Sequence, residues 1–131
     1  MVHVAQSQPV ILIVEDTLDF AQMTMHILSR IGVEAVHALT ADEAIDFINE
    51  QRPDLILLDL NLPGKSGWDV LKHLKSVYGD DNTIPIIITS AYSDSANRLV
   101  GKLQNVHKYM IKPFPPQDLM ATVREVLDLK D

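Results

Sequence analysis

Apolar runs of strand length alternate with helix-spaced patterns along almost the whole chain, and this alternation restricts the fold more than any other feature. Val10-Ile11-Leu12-Ile13-Val14 and Leu55-Ile56-Leu57-Leu58 have no polar interruption. Such strands are buried on both faces, which marks βα units wound around a parallel sheet. The reading is five βα pairs, with strands at Val10–Val14, Val33–Ala38, Asp54–Asp59, Ile84–Thr89 and Lys108–Ile111.

The intervening helices have their own signals. Phe20, Met23, Ile27 and Ile31 share one helical face, and Gly32 stands where a carboxyl-terminal cap belongs. Thr40-Ala41-Asp42-Glu43 forms a capping box that opens a helix through Ala44, Ile45 and Ile48. Trp68, Leu71 and Leu74 mark a third helix. Asp94 or Ser95 caps a weakly amphipathic fourth through Leu99 and Leu103. Pro115–Leu129 forms the last, with Leu119, Val123 and Val126 inward. The expectation is one domain over residues 9–129, preceded by a short extension at 1–8.

Composition narrows the function. The chain has 131 residues, enough for a real core, and its 47% hydrophobic and 22% charged content is globular. No apolar stretch approaches the roughly 20 residues of a membrane helix. The absence of cysteine removes thiolate metal sites and disulfides and fits a reducing, cytoplasmic setting. A net charge of −7 argues against direct nucleic-acid binding, which needs Lys and Arg to neutralise phosphates.

In doubly wound sheets, ligands bind beyond the carboxyl ends of the strands. Here those ends supply Glu15 and Asp16 after strand one, Asp59 after strand three, Thr89 and Ser90 after strand four, and Lys112 after strand five. Clustered carboxylates cannot all stay ionised without a counter-charge. A divalent cation together with Lys112 balances three of them, and an all-oxygen donor set favours Mg²⁺. A carboxylate is also a competent nucleophile for phosphoryl transfer, whose main requirements are in-line positioning and neutralised oxygens. Asp59, which ends a buried strand, is the natural attacking group.

Four segments in order resemble the receiver domain of the response regulators of bacterial two-component signalling, in particular its stand-alone, chemotaxis-regulator-like form. They are Val14-Glu15-Asp16, Leu58-Asp59-Leu60-Asn61-Leu62-Pro63 with Gly67, Ile88-Thr89-Ser90-Ala91, and Tyr109-Met110-Ile111-Lys112-Pro113-Phe114. The resemblance implies a flavodoxin-like (βα)5 sandwich with strand order 2-1-3-4-5 and helices on both faces. It implies that Asp59 accepts phosphate from a phosphohistidine of a histidine kinase or histidine phosphotransfer protein. Mg²⁺ would be held by Asp16, Asp59 and the backbone carbonyl of Asn61, with Glu15 acting directly or through water. Lys112, cis-bonded to Pro113, would contact the phosphoryl group, and Thr89 and Tyr109 would act as the switch. The product would be an altered surface for a downstream protein, on a monomer or a phosphorylation-dependent homodimer. Only Mg²⁺-dependent self-phosphorylation and autodephosphorylation would count as catalysis. With nothing after the last helix, a stand-alone regulator is expected, unless the chain is a fragment.

Each residue also has a plainer reading. Glu15 and Asp16 suit a helix start, where the macrodipole favours acids. Asp59 suits a turn, Thr89 a strand end, Lys112 an exposed surface and Tyr109 simple packing. A haloacid-dehalogenase-like phosphatase also uses an aspartate nucleophile, but it needs a second acid where Asn61 stands. A phosphorylation-independent pseudo-receiver scaffold is the remaining alternative. Two departures from the family pattern stand out: Leu103-Gln104-Asn105-Val106-His107 replaces a small-residue loop, and Thr89 to Tyr109 is about one residue longer than usual.

Overall fold

The computed structural model describes residues 8–60, 67–79, 84–91 and 106–129. Its strands are β1 (Val10–Val14), β2 (Glu34–Ala38), β3 (Leu55–Asp59), β4 (Ile86–Ser90) and β5 (Val106–Ile111). Its helices are α1 (Leu18–Leu28), α2 (Ala41–Glu50), α3 (Gly67–Tyr78) and α4 (Pro116–Leu127). All strand pairs are parallel, in the order β2-β1-β3-β4-β5. The doubly wound sheet read from the apolar runs is therefore present. The helix expected from Asp94 or Ser95 to Leu103 falls outside the described residues. Among those described, no helix is long and apolar enough to cross a membrane.

Period-two alternation divides each central strand between two cores. Leu12, Val14, Ile56 and Leu58 pack with Ala44 and Ile48 of α2 and with Val70 and Leu74 of α3. Ile11, Ile13, Leu55, Leu57 and Ile87 pack on the opposite face, with Ile27 and Leu28 of α1 and Leu119 and Val123 of α4. Every residue of β3 and β4 is buried, which is why both strands read as continuous apolar runs.

Local signals act as their chemistry requires. Thr40 Oγ1 accepts the Glu43 N–H at 3.1 Å, and Glu43 Oε2 accepts the Leu39 N–H at 2.7 Å, so both acceptors of the capping box are used. After α1, Ser29–Ile31 tightens into a 3₁₀ turn that ends on Gly32 at φ +74°, a conformation glycine adopts without a Cβ penalty. One assignment fails. Met23, expected on the buried face of α1, is 45% exposed, and Ala21, Thr24, Ile27 and Leu28 form the inner stripe instead. Thr24 can be buried because its Oγ1 donates to the Phe20 carbonyl at 2.8 Å.

The β4–β5 register advances by one extra residue on β5. Ile86 faces Val106, whereas Ile87 faces Lys108, so the pairing steps past His107 in a bulge. Beyond the bulge, Tyr109 lies opposite Ile88 and Met110 opposite Thr89.

Candidate functional site

The alternation that splits the core also places the chemistry. Ile11 and Ile13 face α1 and α4, so Glu15, two residues on, continues that side. Asp59 follows Leu55 and Leu57, Thr89 follows Ile87, and Lys112 follows Met110 in the same way. Four chemically active side chains thus leave one face at the carboxyl edge of the sheet. Asp59 and Thr89 are register partners on adjacent strands. Both are buried, as is Glu15, while Asp16 faces solvent.

Lys112 draws this edge together. Its ammonium group donates to Glu15 Oε1 and also to Asp59 Oδ2, the latter at 3.0 Å. Its backbone N–H donates to the Ser90 carbonyl at 2.7 Å, which fixes where the side chain starts. The peptide bond to Pro113 is cis. The ammonium also lies 4.6 Å from the centre of the Phe20 ring, in cation–π contact. Phe20 itself meets Phe114 edge-to-face at 5.6 Å.

Burial lowers the proton affinity of Lys112, but hydrogen bonds to Glu15 and Asp59, with their negative charge, more than offset it. Lys112 consequently stays above its ordinary pKa and fully charged at neutral pH. For Glu15, burial dominates and pushes the carboxyl up, against the opposing pull of Lys112 and of the Thr17 N–H on its Oε2 at 3.1 Å. One ammonium therefore serves two buried carboxylates.

Glu15, Asp16 and Asp59 each offer a carboxylate oxygen, and these oxygens lie within 4.8 Å of one another. Hard anionic oxygens from two buried groups and one exposed group suit a cation that retains part of its water shell, the usual manner of Mg²⁺. The donor set thus fits the divalent cation inferred from the sequence. The carbonyl of Asn61, assigned as a further ligand, lies outside the described residues.

Gly67 explains how Asp59 is held from the other side. A Cβ on Gly67 would stand 2.6 Å from the Asp59 carbonyl oxygen and 2.9 Å from Leu60 Cα. Only a residue without a side chain lets the start of α3 approach the strand end so closely, and the Gly67 N–H donates to the Leu60 carbonyl at 3.2 Å. Tyr109 does not join the acidic cluster; it is half-buried and packs with the core beneath α2 and α3. Two contributors escaped the reading of the sequence. Phe20, assigned only to the helix core, also forms the platform under Lys112. His37, placed on a weak strand, bonds the Glu15 carbonyl through Nε2 at 2.6 Å. Neither carries a motif, because a contact between separate elements leaves no spacing to read.

The family model of the response regulator receiver domain matches residues 11–124. The phosphate regulon transcriptional regulatory protein PhoB of Escherichia coli is 38% identical over 119 residues, covering 89% of this chain and 51% of its own. The DNA-binding response regulator MtrA of Mycobacterium tuberculosis is 35% identical over 121 residues, covering 92% and 51%. The chain spans about half the length of these curated relatives. Among solved structures, a CheY-like receiver domain protein from Methanospirillum hungatei superposes with a TM-score of 0.82 at 30% identity, covering 93% of this chain and 95% of its own. The signal receiver domain of a Luxo repressor protein from Vibrio parahaemolyticus gives 0.80 at 30% identity, covering 92% and 91%. With its parallel five-stranded sheet and the acidic rim at its carboxyl edge, the chain belongs to the receiver domains of two-component response regulators.

Proposed function

We propose that this chain is a phosphoacceptor switch in which Asp59 receives a phosphoryl group from a phosphohistidine of a histidine kinase or histidine phosphotransfer protein. The observation that carries this reading is Lys112 bridging Glu15 and Asp59 at a buried edge, with Asp16 close enough to complete a cation site. The Asp59 carboxylate attacks phosphorus, the phosphorus–nitrogen bond breaks, and the departing imidazole keeps the nitrogen electron pair and takes a proton from solvent. Asp16 and Asp59, with the Asn61 carbonyl and with Glu15 directly or through water, would hold Mg²⁺, which supplies charge neutralisation for the transferring oxygens. Lys112, already fully charged, would move from pairing with the Asp59 oxygen to pairing with a phosphoryl oxygen. Thr89, the register partner of Asp59 on the adjacent strand, would move to donate its hydroxyl to another.

The consequence of the reaction is a shift between two surface states. Thr89 and Tyr109 form the switch, and the readers are proteins rather than nucleic acid, in keeping with the −7 charge. The setting is cytoplasmic, the functional unit spans residues 9–129, and its only turnover is its own phosphorylation and dephosphorylation. Incubation with Mg²⁺ and acetyl phosphate should add one acid-stable, base-labile phosphoryl group per chain, detected by mass spectrometry. Equal labelling of Asp59→Asn, or none of the parent, refutes the reading.

A further inference from the structure

The peptide joining Glu15 to Asp16 carries two of the three acidic residues, and a side chain from the edge of the sheet holds it. β1 and β2 pair up to Val14 opposite Ala38, and the Glu15 N–H extends the ladder by one bond, to the Ala38 carbonyl at 3.0 Å. There β2 ends, and the chain turns into α2 with the Leu39 N–H committed to Glu43. The β2 backbone goes no further, yet the Glu15 carbonyl still points toward this edge. His37 meets it, with Nε2 at 2.6 Å. A carbonyl only accepts, so this nitrogen carries hydrogen and donates.

The imidazole thereby stands in for the next rung of the ladder. It fixes the peptide plane at the point where the chain leaves the sheet. That plane determines where the Asp16 side chain departs, while the Thr17 N–H to Glu15 Oε2 bond ties down the other side of the turn. We propose that His37 is a positioning residue for the acidic cluster: by holding the Glu15–Asp16 peptide, it sets the affinity of the site for a divalent cation. The inference rests on the reading above only in taking Glu15, Asp16 and Asp59 as a cation site.

Outer partners that orient metal ligands typically contribute about 10–100-fold in affinity. His37 acts through a backbone carbonyl by one uncharged bond, so the lower end, about tenfold, is expected. The experiment is Mg²⁺ titration by calorimetry on the full chain, comparing the parent with His37→Leu, His37→Val and His37→Gln. Leu and Val remove the donor and suit a half-buried edge-strand position, whereas Gln returns an N–H at similar reach. The two loss variants should bind Mg²⁺ about tenfold more weakly, and His37→Gln should lie within about threefold of the parent. In acetyl phosphate labelling, the half-saturating Mg²⁺ concentration should rise by the same factor with the plateau rate unchanged. Parental Mg²⁺ affinity in either folded loss variant overturns the inference alone, as does a His37→Gln variant no better than His37→Leu. Failure of both loss variants to fold also overturns it, in favour of a bond that only holds β2 in place. A parent that binds no Mg²⁺ overturns the cation site itself, and this inference with it.

Discussion

Lys112→Met removes the ammonium while keeping an unbranched side chain that can still pack on the Phe20 ring, so it isolates the charge. The Lys112 side chain is 16% exposed, and those of Glu15 and Asp59 are 3% and 8% exposed, so solvent can do little to replace it. At an effective dielectric of about 20, the Lys112–Asp59 pair at 3.0 Å is worth about 5 kcal/mol in gross attraction. Desolvation of the ammonium, no longer required, returns part of this. Breaking a buried ion pair by removing one partner costs about 3–5 kcal/mol net, because the other charge stays buried and unpaired. With an unfolding entropy of about 2.1 cal/mol/K per residue over 131 residues, that loss lowers the melting temperature by about 11–18 °C in metal-free buffer.

Two controls separate this charge effect from a packing defect. Mg²⁺ should stabilise Lys112→Met more than it stabilises the parent, since the cation replaces part of the missing positive charge. Acidification should narrow the deficit, and the sign follows from Glu15. Burial already holds its carboxyl above the ordinary value, and removing the opposing hydrogen bond from Lys112 pushes it higher. A carboxyl raised in the folded state binds its proton more tightly there than in the unfolded chain. The ionisation penalty is therefore complete above the folded pKa and disappears as pH falls toward the unfolded one. Differential scanning calorimetry from neutral pH down to about pH 5, with and without Mg²⁺, measures all three effects. A shift below about 3 °C, or a deficit that ignores both pH and Mg²⁺, would refute the electrostatic account of the rim.

Other expectations test separate parts of the structure. Gly67→Ala forces a Cβ against the Asp59 carbonyl, and should cost about 1–3 kcal/mol in urea denaturation and slow acetyl phosphate labelling. Asp16→Asn removes the most solvent-facing acid of the cluster; calorimetry should show Mg²⁺ affinity falling at least tenfold, with the urea midpoint within experimental error of the parent. Thr40→Ala deletes the cap of α2 and should cost about 1 kcal/mol in urea denaturation.

Much of the architecture was legible in the chain because parallel strands buried on both faces must be apolar throughout. Val10–Val14 and Leu55–Leu58 therefore announced themselves, and the acids ending them marked the edge where the carboxylates gather. Boundaries were less sharp: β4 starts at Ile86 and runs through Ser90, since strand ends depend on the partner's register as much as on composition. Met23 was misplaced because four apolar residues at near-helical spacing fit two adjacent stripes, and the stripe chosen contains Thr24, whose hydroxyl is satisfied by its own helix. The bulge at β5 left no signal in composition, because its location depends on how β4 and β5 interlock.

By itself, the sequence determined the sheet, its two helical layers and the identities of the acids, threonine and lysine at its edge. Periodicity and residue chemistry are local properties and survive without coordinates. Tertiary structure alone decided that Lys112 serves Glu15 and Asp59 at once, that Phe20 lies beneath it, that Gly67 allows α3 to approach Asp59, and that His37 completes the ladder at Glu15. Those contacts join residues from 8 to 97 positions apart, and such pairings exist only once the strands and helices have docked.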